Sequence, residues 1–441
     1  MECHTSRLSQ LKLVYILGGI SGILVIIFIQ VLGRSTWTPT ALNDNSIKPV
    51  FRNATPPKSL TQLRDKKIML ILYWNSWFGE KWAGEYKRYT SDTMEGLRDG
   101  GCPEWQCEFT YNKTRVNEAD AIMFRSNTFG SRPKSRRSSQ RWVWVDVEAP
   151  LASPAKSAMN MLRVHNLSHL VNWTMTYHSN SDIVAFYGYF RSLNTFQQPL
   201  RPNIIENHPL ALSKYRDALA KGTTLENIMG ASWTSFVERP RLIAWMSSHC
   251  STVSKREEYV RELSRYIPVD KYGSCGQRCD RRSPRKPLCW LDVLSRNYSF
   301  YLAMENNVCD EYMTEKLYNP LVYNLVPVVW GGSNYEQFLP PNSYIDARGY
   351  HPKELAQLLQ KLKADPVAYG KYHVWRGFWE ARVGGNLCEL CYRLHADKEE
   401  KHYTDIGLWR QNNNKCKVIP KNMFDHDIKA WTNFIRSNYS S

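Results

Sequence analysis

The sequence predicts an α/β protein with two doubly wound domains that face each other across a cleft. Two observations lead to this prediction. Short apolar runs with the length of buried strands alternate with segments of helical periodicity. The alternation occurs in two sets, which are separated near residue 241. Because ligands of such sheets bind beyond the carboxyl ends of the strands, we expect functional residues just after strands.

The first predicted domain covers residues 66–225. Its strands are predicted at KIMLILYW (67–74), ADAIMFR (119–125), WVWVDVE (142–148) and DIVAFYGYF (182–190).

The second predicted domain covers residues 226–375, and residues 376–441 form a disulfide-stapled segment and tail. SKREEYVRELSRYI (254–267) is predicted as a helix with Ser254 as its N-cap, and residues 353–375 as two amphipathic helical stretches. The predicted strands are RLIAWMSS (241–248), VDKYG (269–273), FYLAMEN (300–306), LVPVVWGG (325–332) and SYIDA (343–347).

The N-terminal region predicts a membrane anchor. Residues 13–32 carry no charged side chain and have the length of a membrane span. Arg7 and Lys12 precede them, which places the tail, residues 1–12, in the cytoplasm. A cleaved signal peptide is the alternative, but its apolar core would be shorter. Residues 33–65 are rich in Ser, Thr, Pro and Asn and are predicted to form a stem.

The glycosylation sequons and the cysteines agree with a secretory compartment. Ten of the eleven cysteines follow the predicted anchor, an even number that suits disulfide bonds. Three cysteine pairs are closely spaced, Cys102/Cys107, Cys275/Cys279 and Cys388/Cys391, and we interpret them as disulfide staples rather than zinc or redox sites. Six N-x-S/T sequons also follow the anchor, at Asn53, Asn112, Asn166, Asn172, Asn297 and Asn438.

The formal charge of +17 favours anionic partners without choosing among them. Two basic runs, 132–141 and 278–286, lack the aromatic residues that nucleic-acid sites interleave. We interpret them as solvated loops and predict no nucleic-acid partner.

The segment ENNVCDEYMTEK (305–316) carries the strongest functional signal. It follows a predicted strand and leads into a predicted helix, YMTEKLY. Helix N-termini bind anions through free N–H groups, and Lys316 adds a point charge. The residues alone therefore predict a nucleotide-diphosphate site. The alternative is a surface turn with ordinary capping residues.

The motif E-N-x(5)-Y-x-T-E-K, followed by VPVVWG and then YEQFLPPNSYID, resembles the alpha-1,3-fucosyltransferases. WVWVDVEAP (142–150) and IAWMSSHCSTVSKRE (243–257) resemble further signatures of that family, so the resemblance covers residues 66–395. It implies a GT-B fold with two Rossmann-like domains, in which L-fucose passes from GDP-fucose to a GlcNAc hydroxyl with inversion.

The resemblance also implies roles for individual residues. Glu148 would be the general base that takes the proton of the acceptor hydroxyl. Arg256 and Lys316 would bind the diphosphate and stabilise the charge of the leaving group. Asn306, Tyr312 and Glu315 would line the GDP-fucose site.

Each of these residues has a structural alternative. Glu148 could be an acid at a helix N-terminus before Pro150, and the two cations could be solvated helix charges. Glu305 could be catalytic or could bind backbone. We expect Trp330 and Tyr335 to serve packing.

No metal site is predicted, although manganese could stimulate activity. An Asp-x-Asp triplet, of the kind that binds manganese in other glycosyltransferases, occurs only at Asp425–Asp427, in the predicted tail.

Four departures from the family pattern concern geometry. Pro320 should kink or restart its helix. ENN and EAP replace the commoner ENS and ESP, and RGY (348–350) replaces an acidic pair before Phe.

The resemblance predicts a single-pass type II Golgi membrane protein with its catalytic domain in the lumen. GCPEWQCEFT (101–110) and VDKYGSCG (269–276) resemble invertebrate members that fucosylate the innermost GlcNAc of N-glycans. A Lewis-type enzyme acting on antenna GlcNAc is an alternative. Two other classes are a catalytically silent glycan-binding protein and a glycosidase, which would need two carboxylates flanking the bond. The sequence predicts no oligomeric state.

Overall fold

The computed structural model describes eight segments of the chain: residues 66–75, 92–125, 132–149, 169–201, 205–279, 289–384, 387–413 and 415–419. All of them belong to one compact unit. The predicted tail, anchor and stem lie outside these residues, as does the triplet Asp425–Asp427. Among the described residues, no helix is both long enough and apolar enough to cross a bilayer. The predicted domain boundary at residue 225 stays a prediction.

Strands and helices alternate between residues 241 and 364, as the hydrophobic pattern predicts, whereas β2 to β7 follow one another with no α-helix among the described residues. The strands are β1 (Met69–Tyr73), β2 (Cys107–Thr110), β3 (Ala121–Arg125), β4 (Arg141–Asp146), β5 (Trp173–Thr176), β6 (Ile183–Val184), β7 (Gly188–Ser192), β8 (Arg241–Met246), β9 (Val269–Tyr272), β10 (Tyr298–Met304), β11 (Val308–Cys309), β12 (Val326–Trp330), β13 (Ile345–Asp346), β14 (Trp379–Val383) and β15 (Cys416–Lys417). The α-helices are α1 (Met94–Gly100), α2 (Pro209–Ala220), α3 (Leu225–Met229), α4 (Trp233–Val237), α5 (Arg256–Leu263), α6 (Ser295–Asn297), α7 (Glu315–Val322), α8 (Tyr335–Phe338), α9 (Pro352–Ala364), α10 (Pro366–Gly370), α11 (Leu387–Ala396) and α12 (Ile406–Asn413).

The first sheet is parallel, with strand order β2-β1-β3-β4-β5-β6. The predicted strands 67–74, 119–125 and 142–148 are confirmed. The predicted strand 182–190 is wrong as a single element: β6 joins this sheet, whereas β7 pairs antiparallel with β14. Gly188 permits the position of β7, because a Cβ there would lie 2.3 Å from the Tyr318 ring on α7. The strands β2 and β5 were not predicted from the sequence.

The second sheet is also parallel, with strand order β13-β12-β10-β8-β9, and all five of its predicted strands are confirmed. The central strand β10 is buried at every position. Unbroken apolar runs are typical of strands that are covered on both faces. The predicted α/β class with parallel sheets is therefore confirmed.

Two helix predictions need correction. The helix predicted from Ser254 begins at Arg256, and its N-cap residue is Lys255, at φ 53°, with no side-chain cap. Ser254 is fully buried and donates its hydroxyl to the carbonyl of Glu305 at 2.6 Å, so it is not available as a cap. Pro320 does not interrupt α7, which continues to Val322. Only two helical residues follow the proline, so it disrupts few backbone hydrogen bonds of the helix.

The disulfide prediction is confirmed, but the staples predicted within the close pairs are wrong. The ten cysteines after the predicted anchor form Cys102–Cys388, Cys107–Cys391, Cys250–Cys275, Cys279–Cys289 and Cys309–Cys416. Cys388 and Cys391 lie one turn apart on α11 and therefore share a helix face. That face meets the segment 102–107, so two parallel cross-links attach α11 to the first sheet.

Most residues of the basic run at 132–141 are exposed, as predicted, but two of its arginines also make tertiary contacts. Arg136 donates to the carbonyl of Leu170 at 2.7 Å and to the side chain of Asn172. Arg137 donates to the carbonyl of Ala119 at 2.7 Å. These arginines therefore brace loops of the first sheet. Asn172 is buried, so this sequon is not accessible in the folded protein.

The paired cross-links on α11 predict non-additive stability. When one of the two disulfides is intact, the other closes a loop of only about eight further residues in the unfolded chain. By loop entropy this second disulfide contributes about 2.5 kcal/mol to the free energy of unfolding. Without either bond, a loop of about 285 residues opens, worth about 5–6 kcal/mol more. We expect Cys102→Ala/Cys388→Ala and Cys107→Ala/Cys391→Ala each to lower the free energy of unfolding modestly. The quadruple variant should lose well over the sum of the two. Denaturant unfolding measures this, and simple additivity would contradict it.

Candidate active site

Three of the predicted site residues meet beyond the ends of two strands that belong to different sheets. Glu148 lies two residues after β4, and Asn306 lies two residues after β10. Tyr312 connects them: its hydroxyl donates to Glu148 Oε2 at 3.1 Å and lies 3.4 Å from Asn306 Oδ1. The Tyr312 side chain is fully buried. A crevice between the carboxyl ends of the two sheets therefore contains a carboxylate that is held from the opposite side.

Glu305 determines the shape of the loop between β10 and α7. Its Oε1 accepts hydrogen bonds from the backbone N–H of Thr314 at 2.8 Å and from the Thr314 hydroxyl at 2.9 Å. Its Oε2 lies 3.2 Å from the ammonium of Lys316. The carboxylate is almost completely buried. These contacts support the structural alternative for Glu305, in which it binds backbone.

Lys316 and Glu315 lie in the first turn of α7, as predicted. The Lys316 ammonium is 3.2 Å from Glu315 Oε1 and 2.7 Å from the Thr314 hydroxyl. Burial opposes its charge, but Glu305 and Glu315 outweigh burial and raise the pKa of Lys316. The ammonium therefore stays charged at neutral pH. Its side chain keeps 21% of its surface exposed, which leaves it accessible to a ligand.

Glu148 is exposed at the mouth of the crevice. Even so, the surrounding protein excludes enough water to raise the pKa of Glu148, and the negative charge of Glu315 raises it further. The charge of Lys316 and the hydrogen bond from Tyr312 lower the pKa of Glu148, but they do not cancel the increase. A carboxylate with a raised pKa is a stronger proton acceptor than an ordinary one. The structure does not describe residue 150, so the alternative in which Glu148 begins a helix lies outside the described residues.

Arg256 lies at the same edge of the second sheet but inside the protein, where it is 2% exposed. Its Nη1 donates to the carbonyl of Met304 at 2.7 Å. Its Nη2 donates to the Ser247 hydroxyl at 2.8 Å and to the carbonyl of His249 at 3.1 Å. Burial lowers the pKa of Arg256. In this arrangement the guanidinium braces the ends of β8 and β10, and its contact with a diphosphate stays a prediction.

The two aromatic residues that we expected to serve packing do so. Trp330 is buried and donates its indole N–H to the carbonyl of Ser254 at 3.0 Å. Tyr335 is also buried, and the guanidinium of Arg348 lies 4.9 Å from its ring. Arg348 pairs with Asp346 at 2.6 Å, which accounts for a basic residue in the unusual RGY segment.

A second connection across the crevice was not predicted from the sequence. Glu311, at φ 59°, accepts a 2.6 Å hydrogen bond from the backbone N–H of Ser179 and a 2.8 Å bond from its hydroxyl. Ser179 follows β5 of the first sheet. The edge of the Tyr177 ring also meets the Tyr312 ring, at 4.9 Å between centroids. No local pattern indicates these contacts, because the partners are far apart in sequence.

The described residues contain one group with metal-ligand spacing, Cys107, Cys391 and His395, whose ligand atoms lie within 4.8 Å of one another. Both cysteines are disulfide-bonded, so neither offers a thiolate. This group is far in sequence from the crevice residues, and the predicted lack of an obligatory metal stays a prediction.

Comparison with known proteins identifies the family. Residues 66–188 match the family model "Fucosyltransferase, N-terminal", and residues 236–409 match "Glycosyltransferase family 10 (fucosyltransferase) C-term". These matches coincide with the two sheets and include the crevice residues.

Three curated relatives agree with this assignment. Alpha-(1,3)-fucosyltransferase C of Drosophila melanogaster is 32% identical over 79% of this chain and 78% of the relative. Glycoprotein 3-alpha-L-fucosyltransferase A of the same species is 29% identical over 76% of this chain and 58% of the relative. The 4-galactosyl-N-acetylglucosaminide 3-alpha-L-fucosyltransferase FUT6 of Pongo pygmaeus is 31% identical over 82% of this chain and 88% of the relative.

A solved structure, an alpha1,3-fucosyltransferase with GDP-fucose, aligns with 82% of this chain and 98% of its own, at 15% identity and a TM-score of 0.45. This likeness is too weak to add to the argument. The family assignment rests on the two family models and on alpha-(1,3)-fucosyltransferase C of Drosophila melanogaster. They confirm the resemblance to alpha-1,3-fucosyltransferases, and the chain belongs to glycosyltransferase family 10, the fucosyltransferases.

Proposed function

We propose that this enzyme transfers L-fucose from GDP-fucose to the 3-hydroxyl of a GlcNAc residue on glycoprotein glycans, with inversion at the anomeric carbon. One observation carries the proposal. The Tyr312 hydroxyl holds the carboxylate of Glu148, which comes from the first sheet, beside the loop that leads to Lys316 in the second sheet. A base and a fixed cation thus meet across one crevice. A single displacement with a diphosphate leaving group needs that pair.

The proposed mechanism uses residues on both sides of the crevice. Glu148 takes the proton of the acceptor hydroxyl as that oxygen attacks the anomeric carbon. Lys316 stabilises the charge that develops on the departing diphosphate. Asn306 and Glu315 line the donor site, and Tyr312 orients the base. Because a carboxylate repels phosphate oxygens, the Glu315 side chain is better suited to the hydroxyls of the fucose or ribose.

Arg256 has a supporting role in this proposal. Its bonds to Met304, Ser247 and His249 fix the two loops that follow β10 and β8. A diphosphate that approaches these loops would meet a positive potential from a guanidinium beneath them. Direct contact would require one of these bonds to exchange for a phosphate oxygen.

The fold, location and acceptor complete the proposal. Two parallel sheets with a crevice between them are consistent with a GT-B architecture, and the apolar run at 13–32 supports a type II Golgi anchor. The name of one Drosophila melanogaster relative indicates glycoprotein acceptors, whereas the Pongo pygmaeus relative is named for a galactosylated N-acetylglucosaminide. We favour the innermost GlcNAc of N-glycans. The Lewis-type acceptor and a catalytically silent glycan-binding protein are the alternatives.

The function is tested with the full-length chain purified in detergent. It is mixed with GDP-fucose and either a core N-glycan glycopeptide or N-acetyllactosamine, and product mass and linkage are measured. We expect alpha-1,3-fucose on the reducing-end GlcNAc of the glycopeptide. Fucose on lactosamine alone would assign a Lewis-type acceptor. GDP binding without transfer to either acceptor would contradict the enzymatic proposal for these acceptor classes and favour a binding protein.

The pKa of Glu148 predicts a specific change in pH dependence. A general base must be unprotonated, so kcat/KM should fall as the pH drops through the pKa of Glu148. The hydrogen bond from Tyr312 lowers that pKa. Tyr312→Phe should therefore raise the pKa and move the acid limb of the kcat/KM profile to higher pH.

The matched control is Tyr344→Phe, because Tyr344 packs against Tyr335 rather than against Glu148. This control should leave the acid limb in place. An acid limb that stays fixed in Tyr312→Phe, or that moves to lower pH, would show that Glu148 is not the group that limits the rate.

A further inference from the structure

A cluster of basic side chains lies at the edge of the second sheet opposite the crevice. Arg239 is two residues before β8, and Lys363 contacts Ser299, the second residue of β10. Both are therefore at the amino ends of strands whose carboxyl ends face the crevice. Arg376 and His373 complete the cluster. We call these four residues the basic cluster.

The cluster is organised around one aromatic ring. The guanidinium carbons of Arg239 and Arg376 lie 5.8 Å and 6.0 Å from the centre of the Phe236 ring. The imidazole of His373 meets the same ring edge-on at 4.8 Å. The ring of Tyr369 lies 5.0 Å from His373. Two guanidinium groups and an imidazole thus share one small region.

Several N–H groups in this region are buried without an acceptor among the described residues: Nε of Arg239, Nη2 of Arg376 and Nε2 of His373. The proton on His373 can be assigned. Its Nδ1 accepts from Arg376 Nε at 3.1 Å, and burial, together with Arg376 and Arg239, holds the pKa of His373 well below its ordinary value. The neutral ring therefore carries its proton on Nε2. All three unpaired atoms are donors.

The charge of the cluster is also uncompensated. Burial lowers the pKa of Arg376 to about 9, so this side chain stays charged at neutral pH. Arg239 and Lys363 add two further cations, and burial and their mutual proximity lower the pKa of Lys363. Glu238 acts on Lys363, but it is exposed, and no salt bridge to any of these cations is found among the described residues. Buried cations are normally paired, because an isolated buried charge is costly.

We propose that the basic cluster binds a small inorganic anion, held by N–H donors of Arg239 and Arg376 with Lys363 at its open side. His373 positions Arg376 rather than the anion, because its Nε2–H points away from the nitrogen that bonds Arg376. The donors are buried, which favours a compact ion such as chloride or a single phosphate over an extended polyanion. Lys363 is only half-buried, which leaves a route from solvent.

The anion would also connect to the helix that bears the crevice residues. Nη1 of Arg376 donates to the carbonyl of Leu321 at 2.7 Å, in the last turn of α7. A cation at that end of a helix is stabilising. This bond accounts for one nitrogen of Arg376 and leaves Nη2 for the anion. The site is distinct from the proposed donor site because it lies at the opposite ends of the same strands, so it does not depend on the proposed function.

The test measures the apparent Tm of the full-length chain in detergent at constant ionic strength. Sodium gluconate is replaced stepwise by sodium chloride, and in a second series by sodium phosphate. We expect a saturable rise in Tm of about 2 °C or more with at least one anion. Arg376→Gln should abolish the saturable rise. Arg191→Gln is the matched control, because Arg191 is also enclosed by protein but pairs with Glu380, and this variant should keep the rise.

A second measurement covers the case in which Arg376→Gln does not fold. Crystals of the unmodified protein soaked in bromide should show anomalous density within hydrogen-bond distance of Arg376 Nη2 or Arg239 Nε. The proposal is overturned if neither anion raises Tm in a saturable way, or if both arginine variants respond alike. It is also overturned if the density at the cluster belongs to water or to a carboxylate of the chain.

Discussion

The buried carboxylate of Glu305 is the interaction on which the crevice depends. It accepts two hydrogen bonds from Thr314 and lies beside the ammonium of Lys316. A carboxylate buried this deeply is tolerated only with such partners. These contacts fix the loop between β10 and α7 in the arrangement that places Tyr312 against Glu148. Without Glu305, the ammonium of Lys316 would lose its buried partner and the loop would lose its anchor.

A second constraint fixes the position of the two sheets relative to each other. Glu311 and Tyr312 contact residues of the first sheet directly. The segment after residue 376 contributes as well: two disulfides attach α11 to the first sheet, and the disulfide Cys309–Cys416 attaches β15 to β11, inside the crevice loop. The described parts of the C-terminal segment 376–441 are therefore structural, since they connect both sheets around the site.

The sequence predicted the framework better than the contacts within it. Unbroken apolar runs revealed the second sheet, because strands buried on both faces have a distinctive composition. The turn after a predicted strand pointed to Lys316, because ligand sites in such sheets follow strands, whereas Glu148 was indicated by the family resemblance. The short strands β2 and β5 were missed, since their alternation of polar and apolar residues is too brief to be distinctive.

Contacts between distant residues could not be predicted, for a physical reason. The bond between Glu311 and Ser179 joins residues 132 positions apart, and no local pattern encodes that proximity. Ser254 has every local feature of an N-cap, yet tertiary burial directs its hydroxyl to Glu305. Arg256 has the position of a ligand-binding cation, yet its side chain is enclosed by carbonyl and hydroxyl oxygens.

We propose that Glu148 acts as the base at a crevice whose donor side is independent of it. The most direct test compares Glu148→Gln with the unmodified chain in fucosyl transfer, while GDP affinity is measured by calorimetry. The surface variant Glu118→Gln, in the first sheet's periphery, controls for nonspecific effects. We expect Glu148→Gln to lower kcat by about 10²–10⁴-fold and to retain GDP affinity. Turnover within a few-fold of the unmodified enzyme would contradict it and would require a different base.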